Sequence, residues 1–332
     1  MAKEVHDIWA LGKSPIKIEI VQRYLQNYPL KQVAQELSDG FLKGFRLKYT
    51  GPRIHRESPN RFSAFQHTEA LKDKIQKETN LGRIAGPFKF LSISNLQVSP
   101  CGIVPKSDGV TWRLISHLSY PTFNGINDFI DPVHCAVRYT SFDRVVEMVS
   151  KLGKRAEIGV IDIKNAFRLL RVFPGDYDLL GLKIDDKYYI DKCLSMECSI
   201  SCNMFEKKYT FLHWLVKKKS ELSTLDHYLD DFIFAGQENS ERCKTLMNYF
   251  LCISQELGIL IADEKSVGPV TVWKLIRRMD MAIRIPQEKL EVLKADLIFY
   301  SKQKRITLKN LQSLVGSLNF FGKAIRSARG FF

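Results

Sequence analysis

The stretch Asp226 to Gly236, "DHYLDDFIFAG", constrains the fold of this chain more than any other. It sets two adjacent carboxylates, Asp230 and Asp231, between apolar, β-prone residues. Carboxylates placed there repel one another and gain nothing from burial, so something must offset the cost. A metal ion would do so, although Asp also favours turns, and an "LDD" triplet at a hairpin tip arises for that reason alone. On either account the stretch reads as strand, turn and strand.

A second acidic strand end lies upstream. In "AEIGVIDIKNAFRLLRV" the run "IGVIDI" reads as a buried strand closing on Asp162. A strand delivering Asp162 and a hairpin delivering Asp230 and Asp231 can gather three carboxylates around a cation. Hard oxygen ligands of this kind suit Mg²⁺ or Mn²⁺. Two such ions about 4 Å apart can activate a 3′-hydroxyl and stabilise a leaving pyrophosphate.

The charge balance supplies a matching substrate class. Lys and Arg number 50 against 36 Asp and Glu, a net +14 that favours a polyanionic partner through counterion release. A merely basic soluble protein is the plainer alternative. Residues 263–332 hold 14 basic and 6 acidic residues, which makes the C-terminal segment the expected phosphate-tracking surface. With 45% hydrophobic and 26% charged residues the chain is globular rather than disordered. Its 332 residues exceed one typical core, so two or three subdomains sharing an interior are expected.

Seven cysteines without a CxxC pair indicate reduced thiols. Cys193, Cys198 and Cys202, with His213 further on, offer a zinc set, but their spacing fits no usual ligand knuckle and core thiols are the better reading. No apolar run reaches the ~18 residues of a membrane span, and "MAKEVHDIWALGKS" lacks a signal-peptide core. A soluble intracellular protein, nuclear or cytoplasmic, without a membrane partner is therefore expected.

Residues 1–60 read as an N-terminal helical extension ending in the loop-like "YTGPRIHRESPNRF". "AFQHTEALKDKIQKETNLGRI" has a helical pattern with Gly82 as its stop. "CGIVPK" and "TWRLIS" read as a hairpin and Ser141 to Gly153 as a helix. "KYYIDKCL" reads as a strand, "SISCNMFEKKYTFLHWLVKKK" as a long helix, and Ser240 to Leu257 as another. A βαβ-like continuation to Val272 and two amphipathic tail helices joined near Arg305 and Ile306 complete the pattern.

The order of these motifs resembles a reverse transcriptase. "VIDIKNAF" precedes "HYLDDF" by some 65 residues, with a basic hairpin before and basic helices after. In wording, "NLQVSPCGIVPKSDGVTWRLISHLSYP", "GINDFI", "YTSFDRVVEMV", "DIKNAFRLLRVFPGDYDLLGL", "KYYID" and "LQSLVGSLNFFGKAIRSARGFF" are similar to the reverse transcriptase domain of DIRS and Ngaro retrotransposons, the tyrosine-recombinase group, from about Gly44 to the C-terminus.

The resemblance implies an α+β right-hand polymerase with an antiparallel palm sheet: N-terminal extension 1–60, fingers 61–155, palm 156–283 and thumb 284–332, with no RNase H domain before the chain stops at "ARGFF". It implies that Asp162, Asp230 and Asp231 bind the catalytic Mg²⁺ (or Mn²⁺). Phe167 becomes the aromatic gate that crowds a ribose 2′-hydroxyl. Lys106 and Arg113 would meet the incoming deoxynucleoside triphosphate, and Lys265 would protonate the pyrophosphate. The partners implied are an RNA or DNA template with its primer, and deoxynucleoside triphosphates.

Three stretches depart from the family pattern. "SMECS" puts Glu197 where a glycine usually lets the backbone approach the nucleotide. This predicts backbone strain of about 1 to 3 kcal/mol and a negative charge near the triphosphate. "TVWKLIRRMDMAIRIP", Thr271 to Pro286, lacks the glycine of the primer-positioning hairpin, and His117 replaces an aspartate after the finger Trp-Arg. Two expectations result: a nucleotidyl-transferring polymerase, or a non-catalytic descendant that binds nucleic acid through the same basic surfaces.

Overall fold

The runs at 157–162 and 231–236 become the central strands of a four-stranded sheet, in a computed structural model that describes residues 8–106, 109–271, 276–277, 282–283, 287–303 and 305–322. In chain order the strands are β1 (Arg56–Glu57), β2 (Ile84–Phe88), β3 (Gln97–Val98), β4 (Cys101–Pro105), β5 (Trp112–Ser116), β6 (Glu157–Asp162), β7 (Gly181–Ile184), β8 (Lys187–Asp191), β9 (Leu225–Tyr228), β10 (Asp231–Gly236), β11 (Val267–Val270), β12 (Ile276–Arg277) and β13 (Ala282–Ile283). The helices are α1 (Ile18–Leu25), α2 (Lys31–Lys43), α3 (Phe62–Gln66), α4 (Thr68–Asn80), α5 (Phe142–Lys151), α6 (Ser201–Ser220), α7 (Arg242–Leu257), α8 (Gln287–Ser301) and α9 (Leu308–Gly322). The class is mixed α+β.

The central sheet has the order β11-β6-β10-β9, with every pair antiparallel. Side chains alternate across β10. Phe232 and Phe234 enter the largest core, against Phe250 of α7, while Ile233 and Ala235 pack with Val145 and Val149 of α5 on the other face. Burial on both faces explains why these strands read as unbroken apolar runs. α7 packs tightly over Gly159, where an added Cβ would lie 2.2 Å from Met247 Sδ.

Of the expected βαβ-like continuation to Val272, only a 3₁₀ turn and one strand, β11, follow α7 among the described residues. β10 and β11 both run antiparallel to β6, which lies between them, so α7 carries the chain over one intervening strand. The 3₁₀ turn Asp263–Lys265 then leads directly into β11.

The N-terminal helices are built into the main core. Val21, Leu25, Leu37 and Phe41 join it, and Tyr28 packs edge-on against Phe211 at 5.4 Å and Trp214 at 5.1 Å, both on α6. A second sheet, β1-β3-β7-β8-β2, and the β4–β5 hairpin stand beside the first. Ala64 of α3 and Leu71 and Ile75 of α4 cover them against Ile103 and Leu182. The hairpin pairs Cys101 with Ser116 through Pro105 with Trp112, as its sequence predicts. Gly82, two residues past α4, takes φ +66°, the left-handed value a helix stop requires.

β7, like β1 and β2, is a strand the sequence reading passes over. Its four residues follow a 3₁₀ turn, Pro174–Leu179, and the alternation of buried Leu182 and Ile184 about Lys183, which pairs with Glu57, is too short to stand out. Most of the Thr271 to Pro286 segment, and "ARGFF", lie outside the described residues. Within that segment Ile276–Arg277 pairs antiparallel with Ala282–Ile283. Among the described residues no helix is long and apolar enough to cross a membrane.

Candidate active site

Tyr228 pairs with Asp231, which leaves Leu229 and Asp230 as a two-residue turn at the tip of the β9–β10 hairpin. Leu229 takes φ +54°, the positive value that primed hairpin turns demand at their first central position. A branched residue there costs about 1–3 kcal/mol, and such strain concentrates at functional sites. The turn is anchored to the neighbouring strand, since Ile163 N–H donates to Asp230 O at 3.2 Å. Register sets Asp231 directly opposite Asp162.

The three aspartates therefore share one edge of the sheet. Asp162 is buried, Asp230 half-buried and Asp231 open to solvent. Burial, with Asp162 next in effect, raises Asp230 above the usual carboxylate range. Asp231 is pushed up to about 6 by the burial of its surroundings and then by Asp230 and Asp162. Lys265 Nζ donates to Asp162 Oδ2 at 3.1 Å, and that bond raises the lysine. The oxygens of the three aspartates do not all come within 4.8 Å of one another; among the described residues the one trio of potential ligands that does is His213, Asp226 and His227.

The aspartate donor set nonetheless fits a hard divalent cation: all oxygen and over-charged, so that a cation would offset the burial and the mutual repulsion that lift Asp230 and Asp231. An ion held by Asp231 would have to displace the proton that its raised pKa retains. Mn²⁺ affinity, read by calorimetry, is accordingly expected to rise as pH climbs through about 6 and to level off above it, and Asp231→Asn should flatten that rise.

A cleft of about 440 Å³ opens beside this edge, and Lys106, Arg113, Asp162, Phe167, Asp230 and Lys265 all line it; Asp231 does not. Lys106 follows β4, its N–H donating to Thr111 O at 2.8 Å across the hairpin. Arg113 projects from β5, exposed, and its charge counts among those lowering Asp230. Phe167 lies in a 3₁₀ turn, Ala166–Leu169, entered through Asn165 at φ +54°. Its ring stacks on Phe205 with centroids 4.3 Å apart and planes 17° from parallel.

Glu197 lines the same cleft, but the expected backbone strain is absent. No residue from 195 to 199 has a positive φ, so the turn asks for no glycine. Ser195 Oγ donates to Glu197 Oε2 at 2.6 Å, and Asn127 Nδ2 donates to Glu197 O at 2.8 Å while its Oδ1 accepts from Ser199 N–H at 2.9 Å. What remains of the departure is the charge. His117 sits beside the hairpin, its N–H donating to Pro100 O at 2.8 Å.

Sequence reasoning missed the ionic network under the cleft. Arg168 reaches Glu78 Oε2 at 3.2 Å and Asp191 Oδ2 at 2.6 Å, and Lys74 reaches Glu78 Oε1 at 2.8 Å. These ties join α4 and β8 to the turn that carries Phe167. Nothing in the sequence separates Glu78 from an ordinary helix-surface glutamate.

No protein-family model and no curated protein matches the sequence. Solved structures do match. A foamy viral protease-reverse transcriptase designated dRH, in complex with double-stranded DNA, superposes with a TM-score of 0.62 at 17% identity over 95% of this chain and 55% of that one. The foamy viral protease-reverse transcriptase bound to double-stranded DNA gives 0.57 at 18% over 94% and 63%. Its complex with an RNA/DNA hybrid gives 0.53 at 16% over 95% and 42%. The chain thus spans about half the length of the structures it resembles, and the likeness shows a reverse-transcriptase-like fold.

Proposed function

We propose that this chain is the core of an RNA-directed DNA polymerase, a reverse transcriptase of a DIRS/Ngaro-type retrotransposon, extending a primer 3′-hydroxyl on an RNA or DNA template with deoxynucleoside triphosphates. Residues 61–155 act as fingers, 156–283 as palm and 284–332 as thumb, behind the N-terminal extension 1–60. The observation that carries the reading is that six side chains from distant parts of the sequence, two cationic, two acidic, one aromatic and Lys265, line one cleft beside a strained hairpin tip.

Asp162, Asp230 and Asp231 would hold Mg²⁺ or Mn²⁺, with Lys265 releasing Asp162 as the ion enters. Such ions, when bound, activate the 3′-hydroxyl and neutralise the leaving pyrophosphate. Lys106 and Arg113 bind the triphosphate, a task for which the planar guanidinium is well shaped. Phe167, braced by Phe205, would crowd a ribose 2′-hydroxyl. Lys265, freed, donates a proton to the pyrophosphate oxygen. The tail helices and the net +14 supply sequence-independent phosphate contacts.

A second reading, a non-catalytic descendant that keeps nucleic-acid binding, is favoured by Glu197, whose carboxyl lines the cleft the triphosphate would enter. Its charge acts on triphosphate binding, so Glu197→Gln is expected to lower the KM for deoxynucleotide by roughly 3- to 10-fold with kcat little changed. Steady-state kinetics with varied nucleotide checks this, and an unchanged KM would place the Glu197 charge too far from the triphosphate to matter.

The deciding experiment is primer extension on poly(rA)/oligo(dT) with Mg²⁺ or Mn²⁺. Metal-dependent extension supports the polymerase. Silence from both the parent chain and Glu197→Gln, with salt-sensitive duplex binding retained, supports the binding protein.

A further inference from the structure

α6 and β9 carry a second cluster that the polymerase reading does not use. His213 Nδ1 lies 3.0 Å from His227 Nδ1, the two rings standing 73° apart. One ligand atom from each of them and one from Asp226 lie within 4.8 Å of one another. Asp226 and His227 are 5% and 6% exposed. Two facing Nδ1 atoms cannot both carry a proton at that separation, so at least one lone pair points into the cluster.

The surroundings are built as a ligand shell is built. His227 Nε2 lies 3.2 Å from Glu206 Oε1, yet Nε2 and Glu206 Oε2 are both buried without an aligned hydrogen bond. A carboxylate behind an imidazole fixes the tautomer and raises the basicity of a metal-binding ring. Asp226 Oδ1 accepts from its neighbour's N–H, His227 N, at 2.9 Å. Its Oδ2 accepts from Thr140 Oγ1 at 2.7 Å and pairs with Arg144 Nε at 3.2 Å, an arginine whose side chain is 70% exposed and free to swing away. The cysteines of the sequence-level zinc set are not part of this shell: among the described residues, His213 is grouped with Asp226 and His227.

We propose that His213, His227 and Asp226 form a binding site for a transition-metal ion of the Zn²⁺ class, with Glu206 as the positioning residue for His227. Imidazole donors select Zn²⁺, Co²⁺, Ni²⁺ or Cu²⁺ over Mg²⁺ and Ca²⁺, so this site and the aspartate edge would take different ions. Tetrahedral Zn²⁺ with bonds of about 2.0–2.1 Å places two nitrogens roughly 3.3 Å apart, close to the spacing already present. The ion would tie α6 to β9 three residues ahead of Asp230, and so brace the strand that feeds the hairpin tip.

The test uses the whole chain, stripped with a chelator and titrated with Co²⁺ and then Zn²⁺, followed by visible absorption and calorimetry. With Mg²⁺ in excess to occupy the aspartate edge, the wild type and Asp230→Asn are expected to bind one equivalent at the histidine cluster, with a cobalt d–d band that Zn²⁺ displaces and a Tm that rises on binding. His213→Gln and Asp226→Asn, checked for folding by circular dichroism, should lose at least about 100-fold in affinity and show no rise in Tm, since each removes a direct ligand. Glu206→Gln should lose about 10- to 100-fold, and it decides the matter if the buried ligand variants fail to fold. Absence of binding by the folded wild type, wild-type affinity in a folded ligand variant, or an unaltered Glu206→Gln would overturn the proposal.

Discussion

Exchanging Asp162 for Asn is expected to abolish primer extension, by about a thousandfold or more, while duplex binding persists. Losing one anionic ligand of a catalytic metal removes several kcal/mol of transition-state stabilisation, and about 4 kcal/mol corresponds to that factor. The exchange keeps shape. It breaks the bond from Lys265 Nζ, but that side chain is 62% exposed, and such pairs contribute little to stability. It also removes one of the charges that raise Asp230 and Asp231. Metal-free stability is therefore expected to stay level or rise as activity vanishes, which is the opposite of what a merely structural carboxylate would show. Extension within tenfold of wild type, or a collapse of Tm in step with activity, would sink the assignment of Asp162.

Much of this site was legible because its elements are local in sequence. The apolar run ending in Asp162 and the hairpin around Asp230 and Asp231 announce themselves by composition and turn chemistry, and both form where the pattern puts them. The basic hairpin carrying Arg113 is equally local. Relations between segments were not legible. Nothing in the spacing says that β6 lies between β10 and β11, or that α1 and α2 would enter the main core through Val21, Leu25, Leu37 and Phe41. Glu197 shows the limit most clearly. A glycine-to-glutamate change read in one dimension implies strain, whereas the turn bonds the side chain to Ser195 and keeps φ negative. Arg168 and Glu78 lie ninety residues apart and look like surface charges, so only the fold reveals that they meet in the interior.

That pair carries the largest stability effect expected. Arg168→Met keeps most of the side-chain volume and removes the charge, leaving Glu78 and Asp191, 3% and 4% exposed, facing a thioether. Stripping one partner from a buried ionic network costs about 3–5 kcal/mol, here because Asp191 loses its charged partner and Glu78 keeps only Lys74 and Arg83. The pH dependence identifies the cause. Burial alone would raise Glu78, but Arg168, Lys74 and Arg83 together hold it below its ordinary range. In the wild type its contribution is therefore present above the unfolded carboxyl pKa and lost as pH falls through the lowered folded value. In Arg168→Met burial is opposed by fewer charges, so the defect should be greatest near neutral pH and narrow as the medium becomes acid enough to protonate Glu78. Urea unfolding across that range measures both quantities, and Glu78→Gln combined with Arg168→Met should recover part of the loss. A defect below about 1 kcal/mol, or one that does not vary with pH, would show that the network does not brace the turn beneath Phe167.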